Sequence, residues 1–266
     1  QMREAQKLKS TYNDSIRFPD GEYIWPDGKI HQNLNHALTE TRRTSSSSPN
    51  CQNFPKRKFA QIREQIVAPP GHWFLSVDYG QIEYRVIGMM SKDKVVVQAL
   101  WEDYDVHMEW FEKLAYAYPT WVGGKKMIKD PDTRKKFRNK AKNEWVFPLF
   151  FGASFNGVCK YLGIPENFVR PVYDEFWDTF SGVKKWQNKL TNRYENEGYV
   201  ETLTGFRRWA PISRNQLINA PVQGSASEIV IDGMNRLSER AIKEDWNLQP
   251  VLNIHDDLSF ILPDEQ

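Results

Sequence analysis

The sequence has little that would cross-link it or hold it in a membrane. Its two cysteines, Cys51 and Cys159, make neither a disulfide framework nor a CxxC metal pair. That scarcity points to a reducing, intracellular setting, with the cytoplasm as the expected compartment. A run of about 18 apolar residues is also missing, so no membrane span is expected. The opening stretch, "QMREAQKLKS", is too charged for a signal peptide, and a chain that begins with Gln reads as a fragment. Net charge is scarce as well: 36 Lys and Arg against 34 Asp and Glu leave +2. Affinity for a polyanion must therefore come from local clustering. No internal repeat is visible.

What is present is enough to build a sizeable core. Of 266 residues, 40% are hydrophobic and 14% aromatic, which fits one large domain or two. "QMREAQKLKSTY" reads as the end of a helix. "EYIWPDGKIHQNLN" reads as strand, turn, strand, with Asp27-Gly28 supplying the turn. A polar loop follows, "TRRTSSSSPNCQNFPKR", bearing Arg42, Arg43, Lys56 and Arg57. "HWFLSVDYG" predicts a strand ending at Asp78, and "QIEYRVIGMM" switches to helical spacing with Ile82, Val86, Ile87 and Met90 on one side. From about Asp93 to Gly198 the pattern is helical, broken at "YPTWVGG" and "FGASFNG". "GYVETLTGFRRW" reads as strand-like, ending in a tight turn, "NQLINAPVQGSASEIVIDGMNRLSERAI" predicts a long helix, and the last residues a hairpin. Strands bracketing a helical block predict an α+β fold with an inserted helical subdomain.

The closing hairpin sets two like charges, Asp256 and Asp257, inside an apolar run, "VLNIHDDLSFIL". Asp is common in exposed turns, and that reading alone would account for the pair. Asp78, at the end of another strand, offers a second one. Carboxylates from two strands can converge at one sheet edge as oxygen ligands for hard cations such as Mg²⁺. Two such ions stabilise both the attacking and the leaving oxygen of a phosphoryl transfer.

Three segments then agree on a family. "VDYGQIEYR" resembles motif A of the bacterial DNA polymerase I family (family A), commonly DYSQIELR. "IHDDLSF" resembles its motif C, commonly VHDEL, and "RNKAKNEWVFPLFFGAS" resembles its motif B. Further similarity runs along almost the whole chain, through "KLKSTY", "DVH" at 105–107, "ETLTGFRRWAP" and "INAPVQGSAS". The resemblance implies the polymerase right-hand fold, with an antiparallel palm and inserted helical fingers. Residues 1–20 would end a thumb that is otherwise largely absent. The palm would comprise residues 21–92 and 199–266, and the fingers residues 93–198. A thumb and exonuclease portion would precede this chain, and family members continue for some tens of residues beyond motif C. Gly80, Asp257 and the altered motif B depart from the bacterial pattern and point to a phage or other mobile element.

The function so implied is template-directed addition of deoxynucleoside triphosphates to a primer 3′ end on primer–template DNA, using two Mg²⁺ ions with Mn²⁺ as a substitute. Asp78 and Asp256 match the metal-holding carboxylates, with Asp257, where Glu is usual, in a secondary role. Arg138 and Lys142 match the clamp on the incoming triphosphate, and His107 a further phosphate contact. They lie in or near a stretch, residues 123–142, with nine Lys or Arg against two Asp; without the motif such a run reads as a solvated helix face. Glu83 matches the steric gate against a ribose 2′-hydroxyl, and Gln81, Phe147 and Phe151 join the nucleotide-binding set. Arg43, Asn219 and Gln223 match residues along the minor groove of the primer–template end, where acceptors are shared by all base pairs. Asn50, Gln52 and Arg57 extend that track, and His255 stands beside the primer terminus. Two other readings are a phage-type single-subunit RNA polymerase, which a gate at Glu83 opposes, and a non-catalytic nucleic-acid-binding remnant.

One departure predicts a local distortion. In the family the motif B Lys is followed by an aromatic four residues on, but Lys142 and Phe147 are five apart. Five residues at about 100° each carry a side chain about 140° past a full turn, so a regular helix would separate the two. Pro148 lies in the same stretch and cannot donate a backbone hydrogen bond to Glu144. An extra residue beside a missing donor predicts a π-bulge or kink between about Lys142 and Pro148, returning Phe147 to the nucleotide side. A regular helix would put Val146 there instead.

Overall fold

A computed structural model describes residues 6, 9–17, 20–36, 38–54, 61–64 and 66–265. Among them, the chain divides into two compact units, Gln1–Ile82 with Gln223–Gln266, and Glu83–Val222. The expected boundaries at 92/93 and 198/199 thus differ from the division in contacts, which falls at 82/83 and 222/223.

In chain order the first unit carries β1 (Asn33–Asn35), β2 (Ser45–Ser47), α1 (Gln61–Glu64) and β3 (His72–Asp78). A π-helical stretch, Lys9–Ile16, precedes them. The strand–turn–strand expected around Asp27-Gly28 is reduced to one antiparallel bridge, Ile24 to Ile30, closed by a turn with Gly28 at φ 75°. Then come α2 (Ile82–Ser91), α3 (Lys94–Trp101), α4 (Val106–Ala117), α5 (Pro131–Ala141), α6 (Phe147–Phe150), α7 (Phe155–Leu162), α8 (Glu166–Thr179) and α9 (Ser181–Glu197). The chain ends with the hairpin β4 (Tyr199–Glu201) and β5 (Arg207–Trp209), the long α10 (Arg214–Lys243), β6 (Gln249–Ile254) and β7 (Asp257–Pro263).

The sheet of the first unit is antiparallel, in the order β3-β7-β6. Its β6–β7 connection is a two-residue turn at His255-Asp256, with His255 at φ 62°. A small apolar cluster of Ile16, Cys51, Phe54 and Ile62 packs with Leu252 of β6.

The helical unit is built on side-chain caps and a large aromatic core. Asp105 caps α4 through the Met108 N–H, Asp130 caps α5 ahead of Pro131, and Ser154 caps α7. α7 and α9 end in left-handed glycines, Gly163 and Gly198. Trp110, Phe111, Trp145, Phe150, Phe176 and Phe180 are fully buried. Trp110 meets Phe176 edge-on, ring centroids 4.8 Å apart, and Phe150 meets Phe180 the same way at 5.0 Å. The face expected of α2 is buried at Ile82, Val86 and Ile87. Tyr84 joins it, stacking on Phe150, with its hydroxyl driven upward in pKa by burial.

Candidate active site

Two groups of site residues emerge, one in each unit. In the first, β3 and β7 pair in a register that sets Asp78 opposite Asp257, while the Tyr79 N–H donates to the Asp256 carbonyl at 3.1 Å. Asp78 and Asp256 therefore belong to the same end of one ladder, as the sequence predicted. Asp78 is exposed and Asp256 half-buried. Apart from His255, the donors here are carboxylate oxygens, which suits a hard divalent cation. Among the described residues no group of three or more His, Cys, Asp or Glu is gathered for a metal.

The turn is fixed from beneath. Asn253 is buried and donates its amide N–H to the carbonyls of His255 at 3.3 Å and Asp257 at 3.4 Å. Thr44 Oγ1 donates to Asn253 Oδ1. Gln52 Nε2 in turn donates to Thr44 Oγ1 at 2.9 Å and to the Asn253 carbonyl at 3.0 Å. Its amide donors thus brace the turn, and this network was not foreseen from the sequence. Arg43 lies near enough to His255 to act on it: partial desolvation first, then the Arg43 cation, hold the imidazole below its ordinary pKa against the pull of Asp256. Asn50 is exposed. Arg57 lies outside the described residues. Gln81 is exposed and takes a left-handed φ of 55° just before α2.

In the second unit, the extra residue of motif B is absorbed as anticipated. Lys142–Val146 forms a π-turn, closed by the Phe147 N–H on the Lys142 carbonyl, and α6 follows directly. Val146 is fully buried. Phe147 instead lies beside Lys142, whose Nζ is 5.2 Å from the ring centroid. The same ring is 5.4 Å from His107 and 6.2 Å from Phe151. A five-residue spacing thus behaves as a four-residue one, because the wider turn takes up the excess.

His107, in the first turn of α4, is 5% exposed, and its Nδ1 has no hydrogen-bond partner. Burial, then Lys142 and Arg138, lower its pKa to about 4, so it is neutral at pH 7. Arg138 Nε donates to Asp105 Oδ2 at 2.6 Å, which fastens α5 to the cap of α4. Against the upward push of desolvation, that bond and the Met108 N–H hold the Asp105 carboxyl below its ordinary range. Sequence reasoning did not foresee the Asp105–Arg138 contact, because it depends on how two helices pack. The basic run is therefore not a uniform solvated face, since Arg138, Lys142, His107 and Phe147 form one constellation. Glu83 is half-buried in the first turn of α2, and Phe151, half-buried, ends α6. Asn219 and Gln223 stand four residues apart on α10, both half-buried.

The whole chain, residues 1–266, matches the sequence model of DNA polymerase family A. It is 32% identical over 282 residues to DNA polymerase I of Bacillus subtilis, covering 100% of this chain and 30% of that protein. To DNA polymerase I of Chloroflexus aurantiacus it is 31% identical over 277 residues, covering 99% of this chain and 28% of that one. To the thermostable DNA polymerase I of Thermus aquaticus it is 31% identical over 281 residues, covering 100% and 32%. Among solved structures it resembles the POL domain of Pol1 from M. smegmatis, in complex with DNA primer-template and dNTP. There the TM-score is 0.80 at 26% identity, over 98% of this chain and 46% of that one. The chain thus spans less than a third of the length of these three relatives. They are bacterial, and do not speak to a phage source.

Proposed function

The chain belongs to DNA polymerase family A, and we propose that it carries out the chemical step of such an enzyme: template-directed addition of deoxynucleotides to a primer 3′ end. The observation that carries this reading is the arrival of Asp78 and Asp256 at one end of the β3–β7 ladder. In this reading the unit with the sheet serves as palm, the helical unit as fingers, and residues 1–20 as the end of a thumb. Asp78 and Asp256 would hold two Mg²⁺ ions. Such ions, when bound, stabilise the attacking and leaving oxygens of phosphoryl transfer.

The chain's own residues position the substrate and meet its charge, since phosphoryl transfer leaves little covalent chemistry to the protein. Arg138 and Lys142 present guanidinium and ammonium donors to the triphosphate. Asp105 holds Arg138 in place for that contact. His107, kept neutral by its surroundings, offers a ring nitrogen with no protein partner. Phe147 packs against the sugar, and Glu83 closes the space where a 2′-hydroxyl would sit. Asn219, Gln223, Arg43 and His255 follow the primer–template end, with Asn50 and Arg57 along the same track. Gln52 contributes there chiefly by bracing the turn.

Glu83 favours this reading over an RNA polymerase, whose substrate such a gate would exclude. Primer extension with deoxy- and ribonucleoside triphosphates tests the choice. Extension with deoxynucleotides alone supports the proposal; extension with ribonucleotides alone would favour the RNA polymerase, and none with either the non-catalytic remnant.

A further inference from the structure

The β3–β7 register places two pairs directly across from each other, Asp78 with Asp257 and Ser76 with Ser259. Directly opposed residues share one face of a sheet, and like charges so placed repel. The Asp257 carboxylate is drawn aside from that position. Ser76 Oγ donates to it from between its two oxygens, at 2.7 Å from Oδ1 and 2.8 Å from Oδ2. Ser259 Oγ donates to Oδ1 at 3.1 Å. Ser76 precedes Asp78 by two residues and Ser259 follows Asp257 by two, so both hydroxyls lie on the side of Asp257 away from the turn. They pull its carboxylate along the strands, away from the end where Asp256 and the end of β3 lie. Three aspartates therefore occupy one ladder end, yet among the described residues no trio is gathered for a cation.

We propose that Ser76 and Ser259 are positioning residues that latch Asp257 out of the cation site, leaving divalent ions to Asp78 and Asp256. The inference rests on the reading of those two aspartates as cation ligands. With the latch closed, Asp257 contributes negative charge to the neighbourhood but no direct ligand. With the latch open, it faces Asp78 at the spacing of opposed residues, about 4.5–5.5 Å between Cα atoms, where two carboxylates can bracket one ion. The serine pair thus sets how tightly the site grips its cations, and a site that must exchange metal and product at every turnover benefits from a weaker grip.

The test is Mn²⁺ binding to the full 266-residue chain without DNA or nucleotide, read from the electron paramagnetic resonance signal of the free ion. Asp78→Asn and Asp256→Asn should each abolish the tight binding, and Asp257→Asn should weaken it only severalfold, through the loss of its nearby charge. Ser76→Ala with Ser259→Ala should lower the dissociation constant about tenfold, a small part of the attraction an added charge at about 4 Å supplies near a protein surface. Adding Asp257→Asn to the serine pair should return it to the value of Asp257→Asn alone. Ser259 is buried, so the single Ser76→Ala variant, changed at an exposed position, repeats the measurement without touching the core and should show part of the gain. Asp78-dependent binding that the serine changes leave unaltered would overturn the latch alone. So would an Asp257→Asn loss as large as that of Asp256→Asn. Binding indifferent to Asp78 and Asp256 would instead overturn the cation reading itself.

Discussion

Asp93 holds the N-termini of two helices with one carboxylate, and its removal should cost the helical unit about as much as truncating a buried aliphatic side chain. Its Oδ1 accepts from the N–H groups of Val95 at 3.0 Å and Val96 at 3.1 Å, capping α3. Its Oδ2 accepts from Gly182 at 2.7 Å and Val183 at 3.2 Å, at the start of α9. The residue is 4% exposed, so water cannot readily replace the lost acceptor. Loss of one cap costs about 1 kcal/mol, and an unsatisfied buried donor about 1–3 kcal/mol. Asp93→Ala should therefore destabilise the unit by about 2–4 kcal/mol, with Asp93→Asn intermediate because it keeps one acceptor oxygen. Gly182 supplies an internal check. A Cβ there would stand 2.6 Å from Asp93 Oδ2 and 2.9 Å from its Cα, so Gly182→Ala should cost about 1–3 kcal/mol by overpacking. Truncating Asp93 removes the Oδ2 contact but leaves its Cα at 2.9 Å and Cβ at 3.0 Å. Because both changes disturb the same Asp93–Gly182 contact, the double variant should still fall short of the sum, by about 0.5 kcal/mol or more. Urea denaturation followed by tryptophan fluorescence, with buried Trp110 and Trp145 as reporters, measures all three. A loss below about 0.5 kcal/mol for Asp93→Ala, or strict additivity with Gly182→Ala, would refute the two-helix cap.

His107 has a pKa near 4 when folded and an ordinary value of 6.5. The unfolded chain binds its proton more readily between those values, so the contribution is complete above pH 6.5 and lost as pH falls toward 4. About 3 kcal/mol is at stake, and His107→Gln should flatten that acid limb in denaturation measured against pH. The family A resemblance implies that a Tyr at the Phe147 position eases incorporation of chain-terminating dideoxynucleotides. Since the π-turn puts this ring, and not Val146, beside Lys142, Phe147→Tyr should do so here and Val146→Tyr should not reproduce the effect in a termination assay. Removing Glu83 should raise ribonucleotide incorporation relative to deoxynucleotide incorporation. Phe151 has no hydroxyl, so Phe151→Tyr, which would offer Glu83 a hydrogen-bond partner, should tighten that discrimination, and an unchanged ratio in single-nucleotide kinetics would count against the gate.

The sequence showed most clearly what local pattern and spacing control. The strand ending at Asp78 and the helix after it were read from their alternation and helical period, and the closing hairpin from its apolar flanks. The π-turn was legible because a spacing error between Lys142 and Phe147 and a missing donor at Pro148 can both be counted along the chain. What was not legible depends on packing between distant segments. Asp105 and Arg138 are 33 residues apart, and Ser76 and Asp257 are 181 apart. Gln52 reaches the closing turn across 201 residues, which gives its amide a bracing role that no local motif announces. The strands around Asp27-Gly28 shrank to one bridge, because the turn residues fix the bend but too few neighbours extend the ladder. The sequence pattern placed the division between units at 92/93 and 198/199, whereas contacts, which composition does not display, divide the chain at 82/83 and 222/223.

The account depends most on Asp78 and Asp256 carrying the reaction while Asp257 stays latched aside. Primer extension by Asp78→Ala, Asp256→Ala and Asp257→Ala, with primer–template affinity measured in parallel, tests this most directly. Phosphate contacts dominate affinity, so DNA binding should persist in all three. Extension should vanish in the first two and fall far less in the third. Near-normal extension by Asp78→Ala or Asp256→Ala, or a complete loss in Asp257→Ala, would contradict it.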